Sequence, residues 1–216
     1  ALKGLGDAAI EQIVNNRPFN NAEELLFTPE VVYSKLNKKA LDVLIRAGAT
    51  DSIIDEQFTG RKHFWSAVAV DRPKNKKKFQ ENIIQYAPEG DFSQEEEIEN
   101  ISSLTGIFPL DLVMGPEVRQ KLEEKFVFPI SEYDPDLGLV WFIPRSIAKK
   151  KTKNGKDYWI VTVVDSNSVL TKIRCWGILP KKDVLHVNRP YMCRPQHNST
   201  WGFSVRSVHE TMKLLG

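Results

Sequence analysis

Leu2-Lys3-Gly4-Leu5-Gly6-Asp7 sets two glycines around an apolar residue just ahead of an amphipathic stretch. A Gly-hydrophobic-Gly turn lets backbone approach a phosphate closely, and the helix that follows offers unpaired N–H donors at the positive end of its dipole. Lys3 adds a formal charge, so Lys3, Gly4, Leu5, Gly6 and Asp7 form a first set of candidate contacts to a nucleic-acid backbone. Contacts of that kind hold the polymer without reading its sequence. A second turn at Leu36-Asn37 lacks the glycines but is flanked by Lys35, Lys38 and Lys39, which form the second set.

A different chemistry is written near the C-terminus. Alternation from Leu170 puts Lys172, Arg174 and Trp176 on one side of a strand and Val169, Thr171, Ile173 and Cys175 on the other. The second side is apolar enough to be core. The first interleaves an indole with cations, as stacking on unpaired bases beside a phosphate track requires. On the preceding strand the outward set is Tyr158, Ile160 and Thr162, with Trp159, Val161 and Val163 inward. Between 149 and 156 lie Lys149, Lys150, Lys151, Lys153 and Lys156, five lysines around an Asn154-Gly155 turn. Arg145, Arg189, Arg194 and Trp201 are weaker candidates.

Catalytic patterns are absent from the 216 residues: no Walker phosphate loop, no Ser-His-Asp order with supporting motifs, and no acidic pair in a strand context fit for two magnesium ions. Cys175, Cys193, His186 and His197 are zinc-type ligands without a C-x-x-C knuckle, so no metal is assigned and the cysteines read as small buried hydrophobes. Charge is divided unevenly. Residues 138–216 hold 14 Lys and Arg against 4 Asp and Glu, a net of +10, whereas residues 1–137 hold 16 against 24, a net of −8. The C-terminal part therefore supplies the field that attracts polyanions. No apolar run approaches the roughly 20 residues of a membrane span.

These residues need elements to position them. Apolar residues at Ala8, Ile10, Ile13 and Val14 predict a helix over Asp7 to Asn16 with Asp7 as its N-cap. A second is predicted after Asn20 or Asn21, a third opening at Thr28-Pro29, and a fourth carrying Ala40, Leu41, Leu44 and Ile45 up to a Gly48 cap, giving two similar pairs. Further helices are expected at Phe58 to Val70, Phe79 to Tyr86 and Glu117 to Lys125. After Gly138 the period falls to 2, with strands at Val140 to Ala148, Tyr158 to Val164, Val169 to Trp176, Tyr191 to Arg194 and Trp201 to Val205, and a short helix between Ile178 and Val184. The fold class is α+β: an all-α helix-hairpin-helix module (1–54), an ordered helical connector (55–137) and a five-stranded oligonucleotide-binding (OB-fold) barrel (138–216).

Leu2-Lys3-Gly4-Leu5-Gly6-Asp7-Ala8-Ala9, Arg17-Pro18-Phe19 and the run from Leu36 through Asp51 resemble the tandem helix-hairpin-helix region of family C replicative DNA polymerases, the alpha-subunit type of bacterial polymerase III. Glu99-Asn100-Ile101 through Thr105-Gly106-Ile107-Phe108-Pro109-Leu110 resembles the segment that leads to that family's barrel. Thr152-Lys153-Asn154-Gly155-Lys156 and Val161 to Asp165 resemble its oligonucleotide-binding domain. The likeness runs in order from end to end, with hairpins before barrel.

The resemblance implies a piece of a longer DNA polymerase. Its hairpins would hold duplex DNA and its barrel the single-stranded template, while the catalytic aspartates and their magnesium would belong to a palm domain preceding Ala1. It implies a place in the bacterial cytoplasm, in a bacterial or compact phage-encoded enzyme. It also implies a sliding clamp as a further partner, for which Gln80, Ile83 and Ile84 of Gln80-Glu81-Asn82-Ile83-Ile84 are the nearest peptide. The alternatives are a non-enzymatic single-strand-binding or repair adaptor, and an RNA-binding barrel of the anticodon-binding type.

Overall fold

The computed structural model describes residues 2–136, 138–176 and 185–211, so the short helix expected between Ile178 and Val184 lies outside the described residues. The chain forms two compact units, Ala1–Ile107 and Phe108–Gly216. The first is helical and the second is dominated by a curled sheet, a mixed α+β protein. The expected 55–137 connector divides between them: its helices up to Thr105 belong with the hairpins, and the rest with the sheet.

In the first unit, α1 (Asp7–Asn16), α2 (Ala22–Phe27), α3 (Lys38–Arg46), α4 (Arg61–Trp65) and α5 (Lys76–Gln85) share one core, to which Leu25, Leu36, Leu41, Ile45, Phe64, Phe79 and Ile83 contribute. The apolar stripe of α3 is buried, and Gly48 at φ +77° sits just past its end as the left-handed stop. The helix expected at Thr28-Pro29 does not form. Two reverse turns replace it, closed by Val31 N–H to Thr28 O (2.9 Å) and Lys35 N–H to Val32 O (3.0 Å). The reason is tertiary: buried Gln12 of α1 accepts the Val32 N–H at 2.7 Å, which a helix would direct along its own axis. Two similar helix pairs therefore become three helices and a turn.

Helix α4 runs into a π-helical segment, Ser66–Val70, which ends against Asn82. That fully buried amide donates to Ala67 O (2.9 Å) and Asp71 O (2.6 Å), supplying donors to carbonyls at the end of the segment. The last helix of the unit, α6 (Gln94–Thr105), starts with a capping box between Ser93 and Glu96.

The second unit begins with α7 (Pro116–Glu124) and continues in β1 (Phe128–Pro129), β2 (Val140–Lys151), β3 (Asp157–Val164), β4 (Thr171–Cys175), β5 (Tyr191–Cys193), β6 (Gln196–Asn198), β7 (Gly202–Val205) and β8 (His209–Glu210). Strand order is β6-β7-β4-β3-β2-β5-β8, with β1 also on β2. β7 pairs parallel to β4, and the other neighbours along this path are antiparallel. β2 has an irregular register between Pro144 and Ser146, pairing with β5 over Val140 to Phe142 and with β3 from Ile143 onward. Because β5 and β6 are separated only by Arg194-Pro195, one chain segment touches both sides of the curl, producing a half-barrel around Ile130, Phe142, Val161, Val163, Ile173, Tyr191 and Val205.

Candidate nucleic-acid interface

At the N-terminus, Leu2 and Leu5 pack against the helical core while Lys3, Gly4, Gly6 and Asp7 are exposed. Leu5 thus anchors the turn from beneath. Gly4 needs its freedom, at φ +88°, and a Cβ there would lie 3.6 Å from Val43. Gly6 differs: its φ is −83°, and among the described residues no heavy atom beyond its chain neighbours lies within 4 Å of a Cβ built on it. Gly6, not Asp7, is the N-cap of α1, and no side chain among the described residues caps the helix. The expected cap fails because Asp7 already has helical geometry as the first residue of the helix.

Other helices of this unit have side-chain amide, hydroxyl or carboxylate oxygens accepting from their first turns. Asn21, Asn37, Asn75 and Ser93 cap α2, α3, α5 and α6, and Asp91 accepts Arg61 N–H (3.1 Å) and Lys62 N–H (2.7 Å) at α4. At α1, Ala9 and Ile10 N–H donate to Gly6 O (3.0 and 3.2 Å), while the N–H groups of Asp7 and Ala8 have no acceptor among the described residues and are left for an external one. Lys3 serves a second purpose: its N–H donates to Leu104 O at 2.8 Å and its ammonium lies against Gly106, at the negative end of α6. At the second turn Lys35, Lys38 and Lys39 are exposed, but Asn37 occupies the Ala40 N–H at 3.1 Å. The second hairpin can therefore offer lysines where the first offers backbone.

The peptide Gln80-Glu81-Asn82-Ile83-Ile84 lies within α5. Gln80 is exposed, Ile83 is in the core and Ile84 is 81% exposed, so the three expected docking residues do not share one accessible face. Its central Asn82 is the amide that ends the π-helical segment.

In the half-barrel, the outward faces of β3 and β4 align as cross-strand pairs, Ile160 beside Arg174 and Thr162 beside Lys172, with Tyr158 and Trp176 next in the row. The latter two rings stack at 4.8 Å with 19° between their planes. Val161, Val163, Ile173 and Cys175 face the core, and Trp159 packs partly against it. Val169, expected inward, is 48% exposed because β4 begins only at Thr171.

A groove of about 830 Å³ opens over this face, lined by Lys151, Lys153, Tyr158, Arg174 and Trp176 from the β2–β4 part of the chain and by Gln196, Asn198, Trp201 and Ser204 from the β6–β7 part. Trp176 is 38% exposed and Trp201 is 64% exposed. Arg174 is set beside two indoles: it lines the groove with Trp176, its guanidinium is 5.7 Å from the Trp201 ring, and it donates to the Trp201 carbonyl. Asn198 Oδ1 accepts the N–H groups of Thr200 (2.8 Å) and Trp201 (3.2 Å), shaping the turn that presents Trp201.

Not every expected lysine belongs to the groove. β2 extends through Lys151, so the hairpin tip is shorter than the lysine cluster. Lys149 pairs with Asp157 at 2.6 Å, holding that carboxyl below the usual carboxylate range, and lies 5.9 Å from the Trp159 ring. Lys150, Lys156 and Lys172 are exposed outside the groove lining, as are Arg189 and Arg194. Arg145 is 4.9 Å from the Phe108 ring and donates to Asn188. The side of the groove formed by Gln196, Asn198 and Ser204 was not singled out from sequence. Its one signal was the alternation that resumes after Pro195.

Burial pushes the Cys175 and Cys193 thiols up to about 12, as for packed core groups. Among the described residues no group of three His, Cys, Asp or Glu is placed to hold a metal ion, and no helix is long and apolar enough to cross a membrane.

Residues 1–60 match the family profile of the helix-hairpin-helix motif, a DNA-binding module. No curated protein matches the chain.

Proposed function

We propose that the chain is the DNA-holding region of a replicative polymerase of family C. On this reading the open end of α1 grips duplex backbone without regard to sequence, and the groove of the half-barrel takes unpaired template. The observation that carries it is the stacked Tyr158–Trp176 pair beside Arg174, Lys151 and Lys153, because an aromatic platform next to cations suits exposed bases and is of little use to a closed duplex. The strand order supports an OB-fold assignment: β2, β3 and β4 run as a meander, β7 lies parallel to β4, and the broken strand β5–β6 returns to β2. A hairpin module ahead of such a barrel, and the family resemblance of both, support the polymerase.

The test is a titration of the chain with single-stranded, duplex and primer–template DNA at two salt concentrations. Tightest binding to the primer–template, with a steep salt dependence, is expected. Equal affinity for primer–template and free single strand would favour an adaptor protein, and tighter binding to RNA than to DNA would overturn the template assignment.

A further inference from the structure

A second groove, of about 490 Å³, lies on the helical unit and is lined by Lys38, Lys39, Asp42, Trp65, Ala69 and Val70. Its floor is apolar and its rim is cationic. The π-helical segment Ser66–Val70 brings Ala69 and Val70 to that floor, and Val70 is 37% exposed. Asp42, the carboxylate among the lining residues, is committed elsewhere: Oδ1 accepts the Trp65 indole N–H at 2.7 Å and Oδ2 accepts from Arg46 at 3.3 Å. Neither Lys38 nor Lys39 has an ion-pair partner among the described residues, so the local charge is positive within a segment of net negative charge.

Lys39 connects this groove to the N-terminal turn, since its Cε lies 4.0 Å from a Cβ built on Gly4. We infer that the duplex track runs from the Gly4–Gly6 turn across Lys39 and Lys38 onto the Trp65–Ala69–Val70 shelf, where a deoxyribose packs on the apolar floor while the lysines hold its flanking phosphates. This inference rests on the duplex reading of the hairpins. An apolar floor with cations above matches the alternation of sugar and phosphate along a DNA strand. The indole N–H is already bound to Asp42, so Trp65 offers the groove a ring surface and no polar edge for reading bases.

Trp65 is the one tryptophan in residues 1–137, which makes it a reporter for this groove in the full chain. The chain is labelled with 5-fluorotryptophan, its Trp65 resonance is assigned through Trp65→Phe, and a short mixed-sequence duplex is added. The Trp65 resonance is expected to shift with saturation. Val70→Glu should weaken duplex binding about tenfold at low salt by opposing the phosphates. Ile84→Glu, the same charge change at an exposed site outside the groove, should bind duplex like the unaltered chain. Lys38→Glu, at an exposed position on the groove's rim, repeats the Val70→Glu test if the latter lowers thermal stability.

A silent Trp65 at duplex saturation, or equal losses in Val70→Glu and Ile84→Glu, overturns the inference. It does so without touching the hairpin reading if Gly6→Glu still impairs duplex binding. Unchanged affinity in Gly6→Glu removes that reading and the inference with it. A polyglutamate peptide that shifts Trp65 where duplex does not would assign the groove to an acidic protein partner instead.

Discussion

The end of α1 and the groove of the half-barrel are both suited to anions, but they are made of different material. At α1 the donors are main-chain N–H groups exposed by an uncapped helix, in a sequence segment whose net charge is −8. In the groove they are side chains, two tryptophans, a tyrosine, an arginine and two lysines, in a segment of net charge +10. Backbone donors are fixed by the helix and grip at short range, where an overall negative charge matters little. Side chains on a strand face can stack and attract at a distance, yet each can be removed by one substitution. Loss at α1 should therefore require changing what the backbone presents, whereas loss in the groove should follow from removing a ring.

That contrast is broken most forcefully at Trp176. Trp176→Ala removes the ring stacked on Tyr158 at 4.8 Å and takes about 1–3 kcal/mol from single-strand binding. Duplex affinity should be unchanged. Fluorescence anisotropy with oligonucleotides of equal length measures both, and equal losses for the two ligands would mean that the groove does not distinguish unpaired bases.

The lysines test range instead of stacking. Lys151 and Lys153 line the groove, whereas Lys150 and Lys156 are exposed outside its lining. Reversing the first pair should flatten the slope of log affinity against log salt by about 0.7 for each single-strand phosphate that is no longer neutralised. Reversing the second pair should change the slope less. Equal effects would reduce the hairpin to a diffuse basic patch.

Much of this was legible in sequence where the signal is local. Alternation along β3 and β4 identified the exposed face, and the 3.6-residue stripe on α3 identified its buried side. What escaped depends on distant partners. Gln12 holds the turn that replaced a predicted helix, Asp91 caps α4 from thirty residues away, and Asn82 ends a π-helical segment that no local periodicity distinguishes from an α-helix. β6 was missed because Pro195 breaks it from β5, so half of the groove wall was invisible until pairing with β7 supplied it.

A third prediction sharpens the difference between the two hairpins. Asn37→Ala removes the side chain that accepts Ala40 N–H at 3.1 Å and should lower stability by about 1 kcal/mol, since an exposed Ala is a poor N-cap. It also frees that donor, so duplex binding should stay level or tighten while stability falls. Thermal melts and duplex titrations on one preparation separate the effects. Weaker duplex binding would show that Asn37 itself helps hold DNA and that α1 is not the principal grip.

The smallest effect is expected from acid, and it touches both regions separately. Glu96 accepts the Ser93 N–H at 2.8 Å and lies 3.4 Å from Lys62, and Asp157 is held by Lys149 at 2.6 Å. Both carboxyls are kept below their ordinary range, Glu96 chiefly by the backbone bond from Ser93 and Asp157 by the hydrogen bond from Lys149. A carboxyl lowered in the folded state adds stability above its unfolded pKa, about 4, and loses that contribution as pH falls through the lower folded value. Melting temperature should therefore show no contribution from either group's titration between neutrality and about pH 5 and should decline below the carboxylate range. Glu96→Gln and Asp157→Asn should each soften that decline slightly, because exposed pairs are screened by solvent. Only Asp157→Asn releases a lysine at the half-barrel's β2–β3 hairpin, so it alone should modestly strengthen single-strand binding at neutral pH and low salt. If Glu96→Gln does the same, the gain reflects net charge rather than the freed Lys149.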